Sequence, residues 1–340
     1  MTTHVHLVGG MALDTVDEVF AAVGRQLGPY VKRVPDGEVG PRRHWFTWQQ
    51  PLLMKNPFLE PDPAQVQPYG GGFLIKLAPG VRADEIRIGE LGYAREARAS
   101  YEDFKEAQEK GVLPANLRFQ VSLPTPYAVV GSFCVDEARG AVMPAYERAM
   151  IEEIRRLCER VPNRELAIQW DVCIEMIQWD GRLPMGSPSP DLEAMFRSMF
   201  ARIARAVPPE VELGYHLCYG DPEGKHVIEP QDCTKMVELA NLIVAASGRP
   251  VAFVHLPMDP ARDDDAFYAP LAALDLPSGT EVHLGLVHAG DGVTGATRRM
   301  AVAKKFLKEF GIATPCGMNR HKTPATVMEL LRIQAAAAAQ

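Results

Sequence analysis

No uninterrupted apolar run in the 340 residues approaches the roughly 20 needed to span a bilayer as a helix. The start, Met1-Thr-Thr-His-Val-His6, has neither a basic region nor a long apolar stretch, which predicts no secretory signal and a cytoplasmic protein. Positive charge is in deficit: 36 Lys and Arg stand against 43 Asp and Glu, for a net charge of -7. That balance provides no electrostatic footprint for nucleic acid or an anionic membrane, so the expected partners are small molecules. Six cysteines (Cys134, Cys158, Cys173, Cys218, Cys233 and Cys316) lack the density and spacing of a disulfide framework, which fits a reducing compartment. Most of them are expected to be small buried apolar side chains.

What the chain does have is apolar, β-prone runs, most of them followed by a helical pattern. The runs are Val5–Gly10, Tyr30–Val34, Phe119–Leu123, Leu166–Glu175, the stretch around Gly214–Tyr219, Val251–His255, Glu281–His288 and Ile312–Gly317. Helical spacing is read over Asp14–Leu27, Ala145–Arg160, Leu192–Ala206, Thr234–Ala246, Thr294–Phe310 and Ala325–Gln334. Strands apolar on both faces and separated by helices predict a parallel sheet buried on both sides. Eight such units predict an α/β fold, a single (β/α)8 TIM barrel spanning 1–340, with an open doubly wound sheet as the alternative. The Pro- and Gly-rich interval from Gln49 to Gly92 reads as a long excursion after strand two, a lid or rim element.

In a barrel of this kind the chemistry sits at the carboxyl ends of the strands, and the polar residues here gather at those ends. His216 and Cys218 are two apart on a strand and so face the same side, aiming an imidazole and a thiol at one point. With Cys316 and His255, each at the end of a later strand, they make a set suited to Zn²⁺. The alternative for each residue is packing in the barrel wall. Asp171 lies late in a strongly apolar strand, where a carboxylate needs a partner: a structural arginine, or a ligand amine or proton. Glu38, in Asp36-Gly-Glu38, is read the same way, although Asp-Gly also marks a plain turn. Glu175 is a weaker candidate of this type. His288, followed by Asp291, is a candidate for proton transfer, whereas His4, His6, His44, His226 and His321 are expected to be structural. Trp170, beside Asp171, is expected to contact substrate; Trp45, Trp48 and Trp179 line the pocket or pack at its rim.

Taken in order, Leu7-Val-Gly-Gly10, Asp36-Gly-Glu38, Gln169-Trp-Asp171, His216-Leu-Cys218 and Pro315-Cys-Gly317 give the chain a likeness to a known family. It resembles the catalytic barrel of cobalamin-independent methionine synthase, in the superfamily that also holds uroporphyrinogen decarboxylase and the epoxyalkane coenzyme M transferase. The resemblance implies that His216, Cys218 and Cys316 bind zinc, and that a small thiol is held as a zinc thiolate to attack an activated carbon of an alkyl donor. It also implies that Asp171 and Glu38 grip a cationic or hydrogen-bond-donating group of the substrate. Two positions depart from the family pattern: His255 stands where the family has a glutamate ligand, and Gly9-Gly10 where it has Gly-Ser. The missing serine argues against homocysteine itself as the thiol. The expected activity is therefore zinc-dependent methyl or alkyl transfer involving another small thiol. The alternatives are a lyase or decarboxylase on the same barrel, or a thiol- or zinc-binding barrel without catalysis. A homodimer is also expected by this likeness.

Overall fold

Residues that are apolar on both faces become the centre of the sheet. A computed structural model of the chain describes residues 3–66, 71–183, 189–222, 224–320 and 322–340; His321 and part of the 49–92 interval lie outside them. Among the described residues there are nine strands: β1 (Arg33–Pro35), β2 (Leu59–Val66), β3 (Phe73–Leu77), β4 (Arg118–Pro124), β5 (Leu166–Val172), β6 (Glu212–Leu217), β7 (Phe253–Pro257), β8 (Glu281–Gly285) and β9 (Gly311–Ile312). Seven form one parallel sheet in the order β1-β4-β5-β6-β7-β8-β9, and β2 and β3 pair antiparallel as a separate hairpin. Every residue of β5 and β7 is buried, as expected for strands covered on both sides.

The two ends of the sheet meet at Val5, which bridges Val31 on one side and Ile312 on the other. Its N–H donates to Tyr30 O at 2.9 Å, and His6 N–H donates to Ile312 O at 2.9 Å. The Val5–Gly10 run thus contributes ladder contacts at its start and then peels away. Tyr30 and Val31, read as strand, instead close a turn on the carbonyl of Leu27, so the strand begins later. The last run also stops early, at Ile312, which frees Ala313–Gly317 to form a loop.

Among the described residues, eleven α-helices accompany the strands: α1 (Val16–Leu27), α2 (Gln50–Met54), α3 (Tyr93–Glu109), α4 (Pro126–Phe133), α5 (Asp136–Cys158), α6 (Ile174–Asp180), α7 (Leu192–Arg205), α8 (Thr234–Ser247), α9 (Asp265–Tyr268), α10 (Gly292–Ala303) and α11 (Pro324–Ala338). Thr15 caps α1 by accepting from Glu18 N–H, and Val19, Phe20, Val23 and Leu27 bury its inner face. Helix α3 escaped the sequence reading although Ala97, Tyr101 and Phe104 recur at helical spacing and are buried. The strand read as far as Glu175 ends at Val172, and α6 takes over after Cys173.

Charged residues at the amino ends of the strands hold the floor of the sheet together. Arg33, 5% exposed, donates to Glu212 at 2.5 Å and to Glu281 at 3.0 Å, and Lys32 reaches Glu281 at 2.6 Å. A buried guanidinium survives there because two carboxylates satisfy it. The carboxyl ends are left for a different set of side chains. Among the described residues, no helix is long and apolar enough to cross a membrane.

Candidate metal centre

Register places the first ligands. β5 and β6 pair Asp171 with His216 and Val172 with Leu217, and Cys218 N–H continues the ladder to Val172 O at 3.0 Å. With side chains alternating, Asp171, His216 and Cys218 therefore face the same interior. Cys316 arrives from the loop after β9, where the Thr314 hydroxyl donates to its carbonyl at 2.7 Å.

The donor atoms of His216, Cys218 and Cys316 all lie within 4.8 Å of one another. The two sulfurs are 3.6 Å apart; sulfurs bound tetrahedrally to one zinc at about 2.3 Å would be roughly 3.8 Å apart. Gly220 N–H donates to the Cys218 sulfur at 3.3 Å, a bond that favours thiolate character. His216 Nδ1 meets His255 Nδ1 at 2.7 Å, while His216 Nε2 is buried with no partner among the described residues. Ligation through Nε2 would place the proton on Nδ1 and make His255 the acceptor that holds this tautomer. Burial pushes the His216 imidazole down to about 3, which keeps it neutral and able to ligate. Cys218, hydrogen-bonded to Cys173 and buried, and Cys316, hydrogen-bonded to Cys218 and buried, both hold their protons well above the usual thiol range. A cation is what would draw those protons off. The donor set, its spacing and the orphaned imidazole nitrogen all fit zinc.

These three residues line a cavity of about 110 Å³ together with Glu38, Trp45 and Asp171. Asp171 accepts from Gln169 Nε2 at 2.8 Å and from Trp45 Nε1 at 3.0 Å. Gln169 is itself fixed, donating to Val8 O at 2.6 Å while its carbonyl oxygen meets His6 Nε2 at 2.8 Å. Burial raises Asp171 to about 7 and Glu38 well above its ordinary range, and the charge of Asp171 pushes Glu38 further. Such a pair favours a cationic partner or a shared proton. Glu38 and Trp45 both hold positive φ, 49° and 58°, an uncommon conformation for side chains of their size. Asp36 supports the first by accepting from Glu38 N–H at 2.9 Å, and Arg42 ties down Asp36 at 2.8 Å.

The glycine pair is explained by this crowding. A Cβ at position 9 would sit 2.4 Å from Glu38 Oε1, and one at position 10 would sit 2.1 Å from Asn319 Nδ2. Asn319 occupies the space a serine at position 10 would need.

Several expected residues are placed elsewhere. His255 lies behind His216, outside the three-residue group, because its Nδ1 is turned onto the His216 ring. Trp170 is fully buried and is not among the residues lining the cavity, since alternation with the inward Asp171 sends it to the other face of β5. Trp45 supplies the indole instead. His288 does not line the cavity either; burial lowers it to about 3, and its neighbour Asp291 is held by the buried Arg299 at 2.7 and 2.8 Å. Glu175 is buried on Thr125, also away from the lining. Cys173, Asn319, Arg43 and Arg320 line the cavity and were not singled out from sequence. For Cys173 the signal was present, two residues beyond Asp171 on the same face.

No family model matches the sequence, and no curated protein matches it. Solved structures do. A B12-independent methionine synthase from a Shewanella species, in complex with selenomethionine, superposes with a TM-score of 0.65 at 13% identity over 100% of this chain and 97% of that one. A Listeria monocytogenes protein described as a vitamin B12-independent methionine synthase gives 0.57 at 12% identity over 95% and 86%. A methyltransferase from Methanosarcina mazei gives 0.54 at 11% over 99% and 94%. The chain thus shares its overall α/β fold with these methionine synthase and methyltransferase structures.

Proposed function

We propose that the protein is a zinc-dependent methyl- or alkyltransferase acting on a small thiol other than homocysteine. One observation carries the reading: His216, Cys218 and Cys316 bring their donor atoms within 4.8 Å of one another in the wall of a cavity that also contains the Glu38–Asp171 pair. Zinc held by those three residues would lower the pKa of a bound thiol so that it reacts as the thiolate nucleophile. The chain's own residues do the rest. His255 keeps His216 in the ligating tautomer, and Gly220 N–H steadies the Cys218 sulfur. Glu38 and Asp171 receive a cationic group of the thiol or of its alkyl donor, with Trp45 and Gln169 fixing the Asp171 carboxylate in place. Asn319 fills the position where a serine would bind an amino-acid carboxylate, which is the ground for excluding homocysteine. We read the architecture as one closed (β/α)8 domain over 1–340, with the Val5 segment as its eighth strand, in a cytoplasmic protein.

The test is to incubate zinc-loaded protein with a panel of small thiols and methyl donors, following thioether formation by mass spectrometry. Product that is lost in Cys218→Ser and in Asp171→Asn, the latter keeping its zinc, is the expected result. Product formed equally well by Cys218→Ser would overturn the assignment.

A further inference from the structure

Cys173 is a buried nucleophilic side chain in the cavity wall for which the proposed reaction has no task. It is 4% exposed and packs in a cluster with Ile177 and Cys218, against which Cys316 also packs. Resting on the metal-bound reading above, we infer that Cys173 is the fourth, displaceable ligand of the centre, completing a Cys3His set until substrate thiol takes its place.

Three observations carry this. The first is register: the ladder joins Asp171 to His216 and Val172 to Leu217, and Cys218 N–H reaches Val172 O at 3.0 Å. Cys173 and Cys218 are the next residues on neighbouring strands, and Cys173 has the parity of Asp171, facing inward. The second is the fate of the other candidate. His255 meets the His216 ring at 2.7 Å and lies outside the group of converging donor atoms, so β7 brings no donor into that group. Three thiolates and one neutral imidazole are a common closed set for zinc.

The third is proximity: Cys173 packs with Cys218 and lines the same cavity. The Cys173 sulfur lies outside the trio whose donor atoms fall within 4.8 Å of one another. It stands just past the end of β5, with φ -107 and ψ -60, before α6 begins. One rotamer step about a Cα–Cβ bond moves a cysteine sulfur by roughly 3 Å, and closing the site would need a step of that kind toward the trio. Cys134, Cys158 and Cys233 are not in the cavity wall and take no part.

The exchange balances without any other reagent. The bond from the Cys173 sulfur to the ion breaks, a bond from the substrate sulfur forms, and the proton of the incoming thiol passes to the Cys173 thiolate. Cys173 would thus be a thiol while substrate is bound, and by the reverse exchange would close the site again between turnovers.

Cobalt(II) loaded in place of zinc gives a sulfur-to-metal charge-transfer band whose intensity counts the bound thiolates. The expected result is a band about one third weaker in Cys173→Ala than in the wild type or in the control Cys158→Ala. Titration with 2-mercaptoethanol should leave the wild-type band unchanged, one thiolate leaving as another arrives, and should restore the Cys173→Ala band to wild-type intensity. Cys173→Ser provides the same reading if the alanine variant folds poorly, since an oxygen ligand adds nothing to the band. Equal bands in wild type and variant, both rising with added thiol, would overturn the inference and leave the metal-bound reading intact. A wild type that binds no cobalt would overturn both.

Discussion

Replacing Asp171 with asparagine should flatten the dependence of stability on pH. The carboxyl is buried and raised to about 7, against about 3.9 for an unperturbed aspartic acid. The native state therefore binds this proton more tightly than the unfolded chain does. Its stabilising effect is complete below pH about 4 and is lost as pH rises through about 7. Three pH units at about 1.4 kcal/mol each give roughly 4 kcal/mol across that window. Asparagine cannot titrate, so the variant lacks this slope. It carries a separate, pH-independent penalty, because both Asp171 oxygens accept, from Gln169 at 2.8 Å and from Trp45 at 3.0 Å, and the NH2 of an asparagine must face one of those donors. Gln169 cannot turn over to compensate, since it is held by Val8 and His6. An unmatched donor pair of that kind costs about 1–3 kcal/mol. Urea denaturation at pH 5 and pH 8.5 separates the two effects: the variant should be the less stable protein at pH 5 and should lose its deficit, or reverse it, at pH 8.5. A stability difference that is the same at both values would refute the assignment of a raised, buried carboxyl at position 171.

Gly10→Ser should destabilise the protein by about 1–3 kcal/mol through the clash with Asn319, read as a lowered Tm, and Asn319→Ala should recover much of the loss in the double variant; a Gly10→Ser protein as stable as wild type would contradict the packing described. His255→Ala should weaken zinc binding about 10–100-fold while leaving the stoichiometry at saturation unchanged, measured by competition with a chromogenic chelator; an unchanged affinity would remove His255 from any role in positioning His216. Arg33→Ala leaves Glu212 and Glu281 without their shared cation and should cost roughly 3 kcal/mol, seen as a shift in the denaturation midpoint at neutral pH.

The inner strands could be read from sequence because β5, β6 and β7 are apolar on both faces and little else fits that pattern. The ends could not. Tyr30 and Val31 have strand chemistry yet close the turn after α1, and the Val5 run leaves the ladder early because Gly9 and Gly10 must pass close to Glu38 and Asn319. His216 and Cys218 were visible as a same-face pair, and Cys316 joins them across a sequence separation of 98 residues in the structure. The position of His255 was not visible, since it depends on the tilt of one ring against another across paired strands. Alternation from Asp171 would have turned Trp170 outward and Cys173 inward had it been applied past the aspartate. His288 looked available only because nothing in the sequence shows that Arg299 folds back on Asp291 beside it.

Metal content per chain, measured on protein purified without added zinc and repeated with Cys218→Ser and Cys316→Ala, tests the central claim most directly. The account predicts about one zinc per chain in the wild type and little in either variant, with the fold intact by circular dichroism. A wild type that carries no transition metal and takes none up, or variants that keep the full complement, would contradict it.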